Sequence, residues 1–328
     1  MSRTAGGEML FGEVEKEAFC RIMRRLERFA GVEVMTYAVM GNHFHLLLRV
    51  PNREKFVQRF LEDGGEERFF THLGLLYSKS FVSALRREVA ELREMGAMKE
   101  VDQLFARFHK RFCDLETFVK ELKERFSRWF NKHHGRRGTL WMDRYKSVVV
   151  QDGDALRTMA AYIDLNPVRA GLCEDPKDYR WCGYAEAVAG SKRARRGVCR
   201  LLERPLDSWD VRPAKADLTA CEWYRCWLFG EGREVANEAG LVKRKGVSAE
   251  RARAVIETSG KLSRAELLRC RVRYFSDGVA IGSREFVEGV FRECRDCFGE
   301  KRMNGARPIR ESAEELFSLR ALRVRPVG

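Results

Sequence analysis

Two histidines that stand two residues apart, His43 and His45, are the residues of this chain best placed for metal chemistry. They lie in the apolar run from Tyr37 to Val50, which is typical of a β-strand. Side chains alternate between the two faces of a strand, so positions i and i+2 point the same way. The chain has only six histidines, and an apolar strand gains nothing in packing from two imidazoles on one face. The pair therefore predicts a metal site.

A second pair of candidate residues is Tyr162 with Asn166, on a helix that Asp154 is predicted to open. Residues four apart on a helix lie on the same flank, because each step turns by about 100°. Pro167 disfavours helical geometry at the residue before it, so the helix is predicted to end there. A phenol and an amide would then project side by side. The pattern alone is more typical of a packed tyrosine beside a helix end.

A loop that contains glycine and interleaves basic and aromatic residues is the third candidate. Arginine and lysine neutralise phosphates, and aromatic rings stack on unpaired bases. The residues predicted to contact DNA are Arg136, Arg137, Trp141, Arg144 and Lys146, with Arg169 beyond the tyrosine helix. A loop anchored by a buried tryptophan would show the same pattern, and both interpretations can hold together.

The balance of charge favours an anionic partner. The 328 residues carry a net charge of +14 and a pI near 9.5. Such a balance attracts nucleic acid first and acidic membrane surfaces second, although it also simply keeps a protein soluble. The sequence shows no signal-peptide pattern and no apolar run near the ~18 residues of a membrane span. With dispersed cysteines expected to stay reduced, we expect a cytoplasmic, nucleoid-associated protein.

The order of predicted elements indicates an α+β fold. With a first strand inside Met1–Glu8, it is the β-α-β-β-α-β order of a ferredoxin-like sheet. Phe44, Leu46 and Leu48 are predicted to form the core face of the histidine strand. The elements are a helix over 15–30, strands over 32–40 and 43–50, a helical insertion over 53–112, a helix capped by Asp114, a loop over 135–146, a strand over 147–151 and a helix from Asp154.

The amino-acid composition changes beyond about residue 190, and this change predicts that the chain has three parts. Residues 1–185 form the domain that carries the candidate residues. Residues 186–214 are predicted to be a basic linker. Residues 215–328 read as a helical region with arginine- and lysine-rich faces, and we expect it to assist DNA binding.

Three segments together resemble the REP-associated tyrosine transposases, a group of single-tyrosine HUH endonucleases related to the IS200-like transposases. They are Val39–Leu48, Gly138–Ser147 and Ala161–Leu172, and the resemblance covers roughly residues 1–185. It implies a ferredoxin-like antiparallel sheet with helices on one face. It also implies that His43 and His45 hold a divalent cation, magnesium or manganese, and that Tyr162 is the nucleophile. Asn166 matches the third metal ligand, where some relatives carry glutamine.

The resemblance further implies a reaction and a partner. Attack by Tyr162 on single-stranded DNA near a palindromic hairpin would leave a 5′-phosphotyrosine link and a free 3′-hydroxyl. A tyrosine with a pKa near 10 is a weak nucleophile, so a metal that polarises the phosphate makes chemical sense. Insertion-sequence relatives often form homodimers and the repeat-associated group can act as monomers, which leaves the oligomeric state open.

Two other functions remain open at this point. One is a domesticated hairpin-binding protein that no longer cuts, and the other is a metalloenzyme acting on small phosphate esters. Relatives carry an apolar strand before the segment that matches Ser2–Gly7, so the first strand of this chain is expected to be short. A short strand favours the binding protein, whereas the presence of His43, His45 and Tyr162 favours the enzyme.

Overall fold

The computed structural model describes residues 1–211, 218–228, 235–236, 242–244, 278–309 and 316–320. The fold is α+β, as predicted, and the chain divides into two compact units. The sheet unit consists of Met1–Arg3, Met35–Leu47 and Asp143–Gly328. The helical unit consists of Thr4–Val34 and Leu48–Met142.

The helical unit confirms the predicted helices. Gly31 ends the first helix with a left-handed φ of 70°, and its N–H donates to the carbonyl of Glu27. Asp114 caps the last one by accepting the N–H of Thr117 at 2.8 Å. The helices are α1 Glu13–Ala30, α2 Arg53–Gln58, α3 Gly65–Leu73, α4 Lys79–Glu94, α5 Met98–His109 and α6 Leu115–His133.

Aromatic and aliphatic side chains of α1 and α6 form the core of the helical unit. The rings of Phe19 and Phe126 meet edge to face, with centroids 5.2 Å apart. The insertion, α2 to α5, is fastened to α1 by polar contacts, for example from the imidazole of His72 to the carbonyl of Phe29 at 2.7 Å. The buried stripe of α6 is Phe118, Val119, Leu122, Phe126 and Phe130.

The first sheet has three strands in the order β1-β3-β2: β1 Ser2–Arg3, β2 Glu33–Val39 and β3 His43–Arg49. The first strand is short, as expected, and runs antiparallel to β3 with Arg3 opposite His43. The sheet places the first strand beside the third, as the split β-α-β-β-α-β arrangement requires.

The predicted fourth strand does not join this sheet. Instead β4, Val149–Val150, pairs in parallel with β7, Gly278–Gly282. The chain does pass beside β1, because the backbones of Met1 and Lys146 exchange hydrogen bonds of 2.8 and 2.9 Å.

The C-terminal part of the sheet unit departs from the prediction of helices alone. A second sheet has the order β4-β7-β9-β8, and a two-stranded sheet joins β5 to β6. The remaining elements are α7 Asp154–Asp164, α8 Asn166–Arg169, α9 Gly183–Val188, α10 Lys192–Leu201, α11 Ala220–Leu228, β5 Val235–Ala236, β6 Val242–Arg244, α12 Arg284–Glu293, β8 Arg307–Pro308 and β9 Phe317–Arg320. Within the predicted helical region 215–328, residues 215–217, 229–234, 237–241, 245–277, 310–315 and 321–328 lie outside the described residues.

The segment predicted as a basic linker contains a packed helix. Ser191 caps α10, and the buried side chains Ala194, Val198 and Leu201 place the helix in the main core of the sheet unit. A Cβ on Gly197 would lie 2.3 Å from the carbonyl oxygen of Met35, so only glycine allows this approach. Arg196 is exposed, whereas Arg195 is half-buried, donates to the carbonyl of Ala187 at 3.0 Å and lies over the ring of Trp209. The predicted domain boundaries at 185 and 214 stay a prediction.

Both faces of β3 are covered, which differs from the prediction of a single core face. Phe44 is buried, but Leu46 and Leu48 on the same face are only half-buried. Leu47, on the histidine face, belongs to the main core of the sheet unit together with Tyr162. The prediction placed the core on the face of Phe44, Leu46 and Leu48, whereas side chains of α7 also pack on the histidine face.

Candidate functional site

The histidine pair lies at the start of β3 with both rings on one face, as the spacing predicts. The ring centroids of His43 and His45 are 5.2 Å apart, and the planes are nearly perpendicular at 83°. His45 is buried, while His43 is half-buried. Nδ1 of His43 lies 2.6 Å from Oδ1 of Asn42, so Nδ1 carries the proton and donates it. That hydrogen bond fixes the ring and leaves Nε2 as its ligand atom.

Tyr162 lies directly beside the pair. Its ring centroid is 5.6 Å from that of His45, in an edge-to-face arrangement at 88°. The guanidinium carbon of Arg169 lies 5.2 Å from the same tyrosine ring. The side chain of Tyr162 is buried, with 2% of its surface exposed, and belongs to the core cluster of the sheet unit. The structure thus brings together the histidines, the tyrosine and one predicted DNA-contacting arginine.

Asn166 follows one turn after the tyrosine. Its Nδ2 donates to the backbone carbonyl of Tyr162 at 2.9 Å, which leaves Oδ1 as an acceptor. The predicted helix end is only partly right. The helix α7 stops at Asp164, but Leu165 keeps helical angles and α8 begins at Asn166 with Pro167 in its first turn. Proline fits there because the first turn of a helix needs no internal N–H donor.

The electrostatic surroundings keep both imidazoles neutral. Burial lowers the pKa of His43 to about 4, assisted by the positive charges of Arg3 and the terminal amino group. Burial also holds the pKa of His45 well below its usual value, with further contributions from His43, the terminal amino group, Arg3 and Arg169. Neutral imidazole is the form that binds metal ions. The neighbouring positive charges in turn favour an anion such as a phosphate.

A buried carboxylate that the sequence analysis did not single out anchors the end of α7. Oδ1 of Asp164 accepts the hydroxyl of Thr36 at 2.6 Å and the N–H of Tyr184 at 3.2 Å. Its Oδ2 accepts the hydroxyl of Tyr224 at 2.6 Å. Burial raises the pKa of Asp164 to about 6, against the opposing effect of these hydrogen bonds. One carboxylate therefore ties α7 to β2, α9 and α11. Asp164 stands four residues after Ala160, so both lie on the buried face of α7, and a carboxylate at that spacing was the sequence signal for a buried acceptor.

The tryptophan of the basic loop serves as an anchor in the helical unit. Trp141 is half-buried, and its Nε1 donates to the carbonyl of Lys123 at 3.2 Å. Its ring contacts Phe11 at a centroid distance of 5.7 Å. Arg136 is half-buried and Arg137 exposed in the same unit. Trp141 therefore anchors the basic loop, which is one of the two interpretations that its sequence allowed.

Arg144 and Lys146 belong to the sheet unit, as do the histidines and the tyrosine. Both side chains are exposed. The backbone of Lys146 is held by Met1 through the paired hydrogen bonds described above. Their contact with DNA stays a prediction, as does that of Arg169.

Comparison with known proteins supports the transposase family. Residues 67–166 match the model of a family described as "Transposase IS200 like". The match covers less than a third of the chain; it includes Tyr162 and ends at Asn166, whereas the histidine pair lies before it. Searches of curated proteins and of solved structures return no match. Within the described residues, every helix is too short or too polar to cross a bilayer.

Proposed function

We propose that this protein is a metal-dependent DNA strand transferase that cuts single-stranded DNA beside hairpin sequences. The observation that carries the proposal is the contact between the rings of Tyr162 and His45, with His43 next to them. The family match, which contains the tyrosine, supports DNA transposition as the reaction class. A protein with this activity acts where the chromosome is, so we place it in the cytoplasm near the nucleoid.

The residues present fit a divalent cation. The donors are the Nε2 atom of His43, a ring nitrogen of the neutral His45 and the Oδ1 atom of Asn166. Two imidazoles with one amide oxygen suit manganese, and magnesium is the harder alternative. When bound, the ion supplies Lewis-acid polarisation of the scissile phosphate.

The side chains of Tyr162 and Arg169 then act on the scissile phosphate. The Oη atom of Tyr162 forms a bond to phosphorus, the bond from phosphorus to the 3′ oxygen breaks, and that oxygen takes up a proton as the 3′-hydroxyl. The phenol loses its own proton to solvent. The guanidinium of Arg169, 5.2 Å from the tyrosine ring, stabilises the negative charge that develops beside it. A second 3′-hydroxyl reverses the step and releases the tyrosine.

A second candidate function has an observation in its favour. Tyr162 is 2% exposed, so its hydroxyl must be uncovered before a DNA strand can reach it. A hairpin-binding protein without cleavage needs no such movement. Under the strand-transferase proposal, DNA binding shifts the segment around α8, since that short helix carries Arg169 over the ring.

An adduct assay separates the two functions. The full chain is incubated with labelled hairpin oligonucleotides and manganese, and adducts that resist denaturing detergent are counted. The strand transferase gives adducts that Tyr162→Phe removes while hairpin affinity stays the same. Tyr77→Phe, which changes a tyrosine of the helical unit, is the matched control and keeps the adduct. Affinity for hairpins without adduct formation would establish the binding protein instead.

The predicted DNA contacts and the oligomeric state are tested in the same system. Under the proposal, replacing Arg144 and Lys146 with alanine weakens hairpin binding and lowers its dependence on salt, because fewer counterions are released. Replacing Arg136 and Arg137 with alanine tests whether the helical unit also contributes to hairpin binding. Adduct formation by mixtures of Tyr162→Phe and His43→Ala protein would show that a homodimer shares its sites.

A further inference from the structure

A second cluster of metal-ligating side chains lies in the helical unit, where the start of α1 meets the end of α6. Glu15 is the third residue of α1, His133 is the last residue of α6 and His134 follows it. One ligand atom from each of the three residues lies within 4.8 Å of the other two. Among the residues that the structure describes, this is the one such group of His, Cys, Asp and Glu.

The glutamate is held in place by contacts that leave it available as a ligand. Its Oε2 accepts the backbone N–H of Gly12 at 2.8 Å, which orients the carboxylate at the start of α1. Its Oε1 lies 3.0 Å from Nε2 of His134. The Glu15 side chain is 10% exposed and that of His134 is 39% exposed, so the cluster opens to solvent on the histidine side.

The two imidazoles are adjacent but not parallel. The ring centroids of His133 and His134 are 5.0 Å apart, with planes at 85°. Each ring also rests on an aromatic side chain of α6: His133 is stacked on Trp129 at 5.0 Å, and His134 lies on Phe130 at 4.3 Å. These ring contacts hold both imidazoles near the carboxylate of Glu15.

The spacing fits tetrahedral coordination. Ligand atoms at about 2.0–2.1 Å from a zinc ion, at tetrahedral angles, are about 3.3 Å from one another. The present separations, 3.0 Å for one pair and at most 4.8 Å for the others, span a range that includes this value. The C-terminal end of α6 adds a partial negative charge that favours a cation.

We propose that Glu15, His133 and His134 bind a divalent ion of the zinc class. Two imidazoles and one carboxylate are a donor set for zinc, with one coordination position left for water or another ligand. The ion would link the start of α1 to the end of α6 and so stabilise the helical unit. The site is separate from the His43 and His45 pair, and the proposal does not rest on the proposed function.

The simplest alternative is an ion pair between His134 and Glu15, with His133 held only by its tryptophan. The variant His133→Ala separates the two, because it removes a metal ligand and leaves the bond between His134 and Glu15 in place. His133 is exposed, so its replacement does not disturb the core. Lys132→Ala, an exposed neighbour on the same turn, is the matched control.

The test uses the full chain carrying His43→Ala and His45→Ala, so that the other candidate metal site is removed. Zinc is titrated by calorimetry, and cobalt is added in parallel for its visible absorption. We expect one bound equivalent that also raises the melting temperature. Adding His133→Ala weakens binding at least about tenfold, since even changes outside the ligand shell cost 10–100-fold. Adding Lys132→Ala leaves the affinity unchanged.

Two results overturn the proposal. One is an affinity for zinc that is the same with and without His133→Ala, which would assign the bound metal to other groups such as cysteine thiols. The other is the absence of zinc binding in the chain that lacks His43 and His45. A failure of the histidine pair on β3 to bind manganese, measured separately on the unmodified chain, concerns only the proposed function.

Discussion

The buried carboxylate of Asp164 gives the most quantitative prediction. Replacement by alanine leaves three donors without their acceptor: the hydroxyls of Thr36 and Tyr224 and the N–H of Tyr184. Each unpaired buried group costs about 1–3 kcal/mol. Removing the carboxylate also removes its own burial cost, which is about 3 kcal/mol for a pKa raised from 3.8 to about 6. We therefore expect Asp164→Ala to lower the free energy of unfolding by about 3 kcal/mol, the middle of the range of about 0–6 kcal/mol that these terms give.

Asp164→Asn is the matched variant, and its effect depends on pH. The amide keeps Oδ1 as an acceptor, and its Nδ2 donates to the hydroxyl of Tyr224. In the native chain the pKa of Asp164 is raised to about 6, so the folded state holds the proton more tightly than the unfolded state. Its contribution to stability is complete below pH 4 and is lost as the pH rises through 6. The asparagine variant has no such loss.

Urea denaturation at two pH values measures this difference. Relative to the native chain, Asp164→Asn should gain about 2 kcal/mol in free energy of unfolding between pH 4.5 and pH 7.5. Because all other titrating groups are common to both proteins, their effects cancel in the comparison. A difference that is constant with pH would refute the raised pKa. A small effect of Asp164→Ala would refute the role of the carboxylate as the shared acceptor.

Three further predictions concern the metal pair, the arginine beside the tyrosine and a helix contact. Because burial lowers the pKa of His43 to about 4, manganese affinity should stay level from pH 8 to pH 5.5 and fall only as His43 protonates near pH 4, as calorimetry will show. Arg169→Ala should slow adduct formation about 10- to 100-fold without lowering the melting temperature, and Arg169→Lys should recover part of the rate. Gly197→Ala should destabilise the sheet unit by about 1–3 kcal/mol in urea denaturation, because its Cβ would lie 2.3 Å from the Met35 carbonyl. The control Gly289→Ala, on a helix with open space around it, should be neutral or stabilising.

Each of the three has an outcome that would contradict it. Manganese affinity that falls between pH 7 and pH 6 would mean that the imidazoles titrate like exposed histidines. Equal adduct rates in the arginine variants would exclude the guanidinium from charge stabilisation. A Gly197→Ala protein as stable as the native chain would show that the backbone of α10 moves away from Met35 at little cost.

The sequence by itself determined the local elements and the pairing of chemical groups within them. Alternation along β3 placed His43 and His45 on one face, because the side-chain period of a strand is fixed by its backbone. The spacing of four residues placed Asn166 one turn beyond Tyr162, because the number of residues per turn of an α-helix is fixed by its backbone. The end of α1 at Gly31 and the cap at Asp114 were also predictable, since both depend on a single residue type.

Only the tertiary structure decided which elements meet. The contact between Tyr162 and His45 joins residues 117 positions apart in the chain, and no periodicity reports it. β4 pairs with β7, a strand that lies more than 120 positions later in the chain. The burial of Asp164 depends on donors from three separate elements. Local patterns fix how a segment folds, but burial, pKa and strand pairing depend on which distant segments pack against it.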